Sequence, residues 1–175
     1  MSTNWKLDPT HSGVHFSVRH LMVSKVRGAF TGYSVDLAFD PKNPTAGKVD
    51  VSVDVSTIDT KEEKRDAHLK SADFFDVEKY PTMTFKSGKV EAKDAENFLV
   101  HGDLSIHGVT KSVILEVEFT GEAKDPWGNS KAGFSAHTSI NRKDFGLGWN
   151  QALETGGVLV GEKVEITIDL ELTKG

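Results

Sequence analysis

The sequence predicts an all-β fold, an extended antiparallel barrel of eight strands with one or two short helices, over a single domain spanning residues 1–175. Three observations carry that expectation. Apolar and polar residues alternate through most of the chain, turn-forming residues punctuate the alternating segments, and no long helical stretches separate them. Long strands joined by short turns favour an antiparallel sheet closed on itself over a βαβ arrangement.

The elements follow in order. Val14, Phe16 and Val18 open the period of two, and Val26, Gly28 and Phe30 continue it on even positions. Tyr33, Val35, Leu37 and Phe39 then fall on odd positions. A slip of one residue turns every side chain to the other face, so a bulge or sharp bend is expected near Thr31-Gly32. Val49, Val51, Val53 and Val55 form the next segment, followed by Met83 with Phe85 and by Phe98, Val100, Leu104 and Ile106. Val113, Leu115, Val117 and Phe119 come next, then Phe134, Ala136 and Ile140, and finally Val164, Ile166, Ile168, Leu170 and Leu172. Eight or nine such segments are expected. Asp40-Pro41-Lys42-Asn43-Pro44, His107-Gly108 and Asp125-Pro126-Trp127-Gly128-Asn129 carry turn chemistry, and Gly156-Gly157 reads as a turn into the last strand. One helix is expected from about Lys61 to Ser71, entered through Thr60 with Glu63 completing a capping box.

Composition narrows the function classes. Twenty-six acids against twenty-one Lys and Arg give a net charge of -5, spread along the chain, which argues against nucleic acid as a partner. With no cysteine, disulfides, thiolate zinc sites and cysteine nucleophiles are excluded. No run approaches the roughly 20 apolar residues of a spanning helix, so no integral membrane segment is expected, although transient membrane contact stays open. The start, Met1-Ser2-Thr3-Asn4-Trp5-Lys6, has neither a basic region nor an apolar one. The expected location is therefore cytoplasmic as written, or periplasmic or exported if a leader has been removed.

Strands of nine residues or more make staves of roughly 30 Å. A barrel of that height either fills its middle with side chains or leaves a tube for one ligand. The alternating faces offer Val, Ile, Leu and Phe without regular polar residues among them, which suits an apolar guest, with a solidly packed core as the alternative. One isoprene unit could contribute roughly 3 to 4 kcal/mol before ordering costs are subtracted. Phe16, Val18, Phe30, Phe85, Val100, Leu104, Phe134 and Ile166 are the expected dry lining, though parity alone does not say which face points inward.

Four ordered runs carry a family resemblance. The first is Trp5-Lys6-Leu7-Asp8 with His11-Ser12, Val14 through Leu21 and Val26-Arg27-Gly28-Ala29-Phe30. The second is Arg65 through Asp76 with Tyr80-Pro81-Thr82-Met83-Thr84-Phe85, the third Val100 through Lys111, and the fourth Gly133-Phe134 through Gly146. On these runs the chain resembles the YceI-like family of small bacterial proteins. The resemblance implies a lipocalin-like barrel that binds, stores or transports a long-chain polyisoprenoid, such as a quinone or polyprenyl phosphate, threaded through its interior. It implies no catalytic residue and no cofactor beyond the bound lipid, so an enzyme is not expected. Family members are often exported, and the lack of an export signal here is a departure.

The remaining candidates are polar. Arg65, Asp66 and His68 read as a latch at the barrel mouth, which would set Leu69, Phe74 and Phe75 against it as a lid; an acid-base cluster is the alternative. Arg142 and Lys143, beside Phe145 and Trp149, are candidates for meeting a head group, with an arginine tying down a loop as the equal alternative. Trp149 with Asn150 and Gln151 stands under the same two readings, and His20 at a barrel end completes the expected ligand-contact set. His11 with His15, and His101 with His107, invite a metal, but no ligand spacing supports one and none is expected. Two rival readings are an enzyme acting on a lipid in the same cavity and a packed barrel serving as a protein-interaction module. A homodimer is an option if an incompletely closed barrel leaves a strand edge to cover.

Overall fold

A computed structural model describes residues 3–21, 23–150 and 159–174, in which the alternating segments become eleven strands and one α-helix. The strands are β1 Thr3–Leu7, β2 Gly13–His20, β3 Ser24–Phe30, β4 Tyr33–Phe39, β5 Lys48–Asp54 and β6 Ile58–Asp59. After helix α1, Glu63–Lys70, come β7 Thr82–Ala92, β8 Asn97–Ile106, β9 Val109–Lys124, β10 Ser130–Asn141 and β11 Val160–Lys174.

Hydrogen bonding runs β1-β4-β5-β7-β8-β9-β10-β11 and returns to β1, a closed antiparallel barrel of eight strands. The other three strands continue staves of that ring. β2 follows β1 and pairs with β11, β3 precedes β4 and pairs with β2, and β6 follows β5 and pairs with β3. Eight staves therefore account for eleven strands, because three of them are broken in the middle. The lower half closes completely. In the upper half the β11-β2-β3-β6 arc ends at β6, against which α1 packs. The eight-stranded ring closes through the β1–β11 pairing, while β6 ends the upper arc with β3 as its strand partner.

The bend expected at Thr31-Gly32 is one of these breaks. Ahead of it β3 bonds to β2 and β6, and beyond it β4 bonds to β1 and β5. Thr57 Oγ1 accepts from the Gly32 amide at 2.9 Å, and the Gly32 carbonyl accepts from Asp54 N at 2.8 Å. A bulge at Gly88 moves the inward set of β7 from Met83 and Phe85 to Val90. His107 and Gly108 join β8 to β9 with φ values of 55° and 74°, the positive pair that a two-residue type I′ hairpin needs.

The helix starts later than the capping box predicts. Glu62 is its N-cap and accepts from the amides of Lys64 and Arg65. Thr60 is instead buried and spent on tertiary bonding: its amide and hydroxyl both donate to Asp66 Oδ1, at 2.9 and 2.5 Å. Lys61, at φ 66°, turns the chain between the two. The Gly156-Gly157 turn and Gln151 lie outside the described residues.

The core divides by height. At the closed end Trp5, Phe39, Ala132 and Leu172 pack with Phe119 and Phe134, the three Phe rings lying 5.1 to 5.3 Å apart. Phe85, Val100, Leu104, Ile106, Leu115, Phe145 and Leu147 fill the middle of one wall. Val14, Phe30, Val53, Val55 and Ile58 form the opposite cluster, next to α1.

Candidate ligand cavity

The upper half of the barrel holds a cavity of about 390 Å3. That lies within the range of roughly 300–1,000 Å3 of small-molecule pockets. Its floor and walls come from the inward faces of β2, β3 and β11, where Val14, Phe16, Val18, Val26, Phe30, Val164 and Ile166 line the space. Parity is thereby resolved: even positions face inward on β2, β3 and β11. Phe16 lies across from Gly28, where a Cβ would collide with its ring, so only glycine lets that ring lie over β3. Phe16 and Phe30 are 5.5 Å apart, and Phe75 stands edge-on to Phe30 at 6.1 Å.

Aromatic groups gather over the top. His68 on α1 meets Trp149 at 4.7 Å and Phe74 at 5.2 Å, and Phe74 meets Trp149 at 5.3 Å. His68 Nε2 lies 2.9 Å from Asp73 Oδ2, which fixes the ring's orientation. The helix under this cluster is held by Thr60. Arg65 donates from Nε to the Thr60 hydroxyl at 2.8 Å and from Nη2 to its carbonyl at 2.6 Å, while Asp66 accepts from the same residue. Adjacent Arg and Asp thus share one partner.

Arg142 is 3% exposed and ends on the cavity wall. Its guanidinium donates to three backbone carbonyls: Gly161 at 2.8 Å, Val160 at 3.3 Å, and Leu147. Burial pushes its pKa down, and the charge of the Glu162 carboxylate opposes that shift. Its centre stands 6.0 Å from the Phe74 ring. Lys143 is not on the wall; it pairs with Glu162 at 2.8 Å on the outside. Asn150 copies a strand pairing, donating to the Val160 carbonyl at 2.7 Å and accepting from its amide at 3.0 Å. Among the described residues the wall carries Arg19, Lys64, Arg65 and Arg142 and no Asp or Glu.

Ten of the fifteen sequence-predicted contacts line this cavity: Phe16, Val18, His20, Phe30, Leu69, Phe74, Phe75, Arg142, Trp149 and Ile166. Phe85, Val100 and Phe134 do not reach it; they line a second space of about 90 Å3 in the lower half. Leu104 and Phe145 line neither, being packed into the wall cluster between Phe85 and Leu147. Leu104 lies on β8 between Val100 of the lower pocket and Ile106 of the upper, so the interior is two apolar spaces divided by a packed layer, not one open tunnel. Sequence reasoning missed Met83, Ile140, Leu147 and the polar rim of His15, Arg19 and Lys64 as cavity residues. The aliphatic ones shared the alternation; the rim gave no periodic signal.

The histidine pairings dissolve. His11 lies in a 3-10 turn, Pro9–His11, and does not share a strand face with His15. His107 sits in the β8–β9 turn, edge-on to Tyr80 at 4.7 Å with Nδ1 3.2 Å from the Phe145 carbonyl. Asp8, His11 and Glu171 do converge, but the Lys131 ammonium lies 3.2 Å from Asp8 and 3.9 Å from Glu171 and supplies the cation there.

The comparison with known proteins agrees with this architecture. A family model described as the YceI-like domain matches residues 5–172. The chain belongs to the YceI-like family. Protein YceI of Escherichia coli is 41% identical over 149 residues, covering 84% of this chain and 78% of its own. Among solved structures, BcnA of Burkholderia cenocepacia superposes with a TM-score of 0.84 at 23% identity, over 95% of this chain and 99% of its own. A polyisoprenoid binding domain from Saccharophagus degradans superposes with a TM-score of 0.71 at 14% identity, over 99% of each chain. At those two identities the likeness is one of fold.

Proposed function

We propose that this YceI-like barrel binds a long apolar lipid of the polyisoprenoid type, a quinone or polyprenyl phosphate, in the 390 Å3 cavity, and stores or carries it. The observation that carries the reading is the distribution of polarity in the lining: aromatic and aliphatic walls, with cations and, among the described lining residues, no Asp or Glu. The fold shared with a polyisoprenoid binding domain supports it. A cavity of about 150 Å3 takes one benzene, so this one takes on the order of fifteen carbons, three isoprene units. A longer tail reaches the lower pocket by displacing the layer around Leu104. The head group lies toward Arg142, whose five N–H donors exceed the three carbonyls they serve, leaving two for a quinone or phosphate oxygen.

Trp149 reports on occupancy, because it stands at the mouth beside His68 and Phe74. In a Trp127→Phe background, which removes the indole that is 84% exposed, titration with an isoprenoid quinone should quench fluorescence saturably. Affinity should rise about tenfold per isoprene unit up to roughly three units, the surplus after ordering costs. Quenching that ignores tail length would contradict the reading.

A further inference from the structure

The β2–β3 hairpin stands at the cavity rim. Val18, His20 and Val26 of its inner face belong to the wall, while its turn holds two aliphatic residues in water, Val23 at 82% and Leu21 at 41% exposure. Folding alone does not call for them. Leu21 has φ 55°, a left-handed conformation that Gly or Asn adopts at less cost, and a solvated turn gains nothing from Val. Leu21 is nevertheless tied down: its amide donates to the Leu159 carbonyl at 2.8 Å, and Leu159 is itself a wall residue.

Cations crowd the outer face of the hairpin itself, while Glu162 and Glu165 stand on the neighbouring strand β11. Arg19 lies directly opposite Lys25, and Arg27 follows on the same face opposite Ser17. Like charges facing each other across two strands are destabilising. Lys25 is partly relieved by Glu165 at 3.4 Å, whereas exposed Arg19 and Arg27 meet no carboxylate among the described residues. A chain of net charge -5 thus sets two arginines that meet no carboxylate among the described residues beside exposed aliphatic groups at the opening of its apolar cavity.

We propose that this hairpin docks the protein on an anionic phospholipid bilayer, with Leu21 and Val23 entering the acyl boundary and Arg19 and Arg27 meeting lipid phosphates. Such a surface neutralises the like-charged strands and buries the two aliphatic side chains, which water does not. The cavity then opens onto the phase that holds its ligand. This inference rests on the lipid reading of the cavity.

The test is flotation of the full chain with vesicles of phosphatidylcholine alone and of phosphatidylcholine mixed with phosphatidylglycerol. The parent chain should float with the mixed vesicles and lose most of that binding in high salt. Leu21→Asn/Val23→Ser should weaken binding by about tenfold or more, from the apolar area no longer buried. Arg27→Gln should weaken it about fivefold, one cation's share. Because Asn suits the Leu21 backbone, the double variant should keep or raise its melting temperature, which a structural role for Leu21 would not allow. Lipid retained by each variant, extracted and weighed, separates the two levels. A parent that holds lipid but ignores anionic vesicles overturns docking alone; a parent that holds none overturns the cavity reading. Self-association abolished by Leu21→Asn/Val23→Ser, without vesicle binding, also overturns docking.

Discussion

Arg142 Nε donates to the Gly161 carbonyl at 2.8 Å, joining the end of β10 to the bulged start of β11 beneath the cavity mouth. The same guanidinium reaches Val160 and Leu147, so one buried cation holds the two segments that frame the opening. Of the two sequence readings of Arg142, the loop tie is the one its hydrogen bonds show, and those bonds also set the guanidinium on the cavity wall.

Arg142→Met should lower stability by about 2–4 kcal/mol, because the Gly161 and Leu147 carbonyls lose their donor while Val160 keeps Asn150. Arg142→Lys should cost less, about 1–3 kcal/mol, since an ammonium keeps the charge but not the fork. Urea midpoints at unchanged slope would measure both.

Thr60 holds α1 through Arg65 and Asp66 together. Thr60→Val leaves an Arg donor and a carboxylate without the hydroxyl and should speed hydrogen exchange in α1 about tenfold, with the barrel strands unchanged. Thr60→Ser should restore protection. Equal exchange in all three proteins would show that the helix is held otherwise.

The divided interior makes two Phe residues behave differently. Phe16→Asp puts a charge on the wall of the upper cavity and should abolish binding of an isoprenoid quinone. Phe134→Ala, at the closed end against Phe39 and Phe119, should cost about 3–5 kcal/mol of stability and leave binding of a three-unit probe nearly unchanged. Loss of binding in both would mean that the spaces act as one.

Much of this was legible in the sequence. Period-two alternation placed the strands, and the parity change at Thr31-Gly32 located a real break because a slipped strand must face differently. Height along the barrel was not legible. Phe85, Val100 and Phe134 carry the same apolar signature as Phe16 and Ile166, and alternation reports dryness without distinguishing packed from hollow. The hollow depends on pairings distant in sequence, such as Gly28 making room for Phe16. Thr60 misled for a related reason: a capping residue and a tertiary anchor look alike until Asp66 is seen to claim it.

His11 gives a prediction about pH. The Asp8 carboxylate beside it, at 3.0 Å, raises its pKa above the usual 6.5, with Glu171 adding to the effect. Hydrogen bonds from Thr10, His11 and Lys131 in turn hold Asp8 far below its usual 3.8. Protonated His11 favours the folded state, so its contribution is complete below about pH 6.5 and fades as pH rises through the raised folded value. The Asp8 contribution is present above 3.8 and is lost only as pH falls through its lowered value. In NMR titration Asp8→Asn should bring the His11 midpoint down; an unchanged midpoint would remove Asp8 as the cause.

Solvent extraction of the purified full chain followed by mass spectrometry tests the central claim most directly. A prenyl lipid should be recovered in near-equal molar amount from the parent protein and be missing from Phe16→Asp. Repeated extracts without any prenyl lipid, or equal recovery from both proteins, would contradict a lipid seated against Phe16.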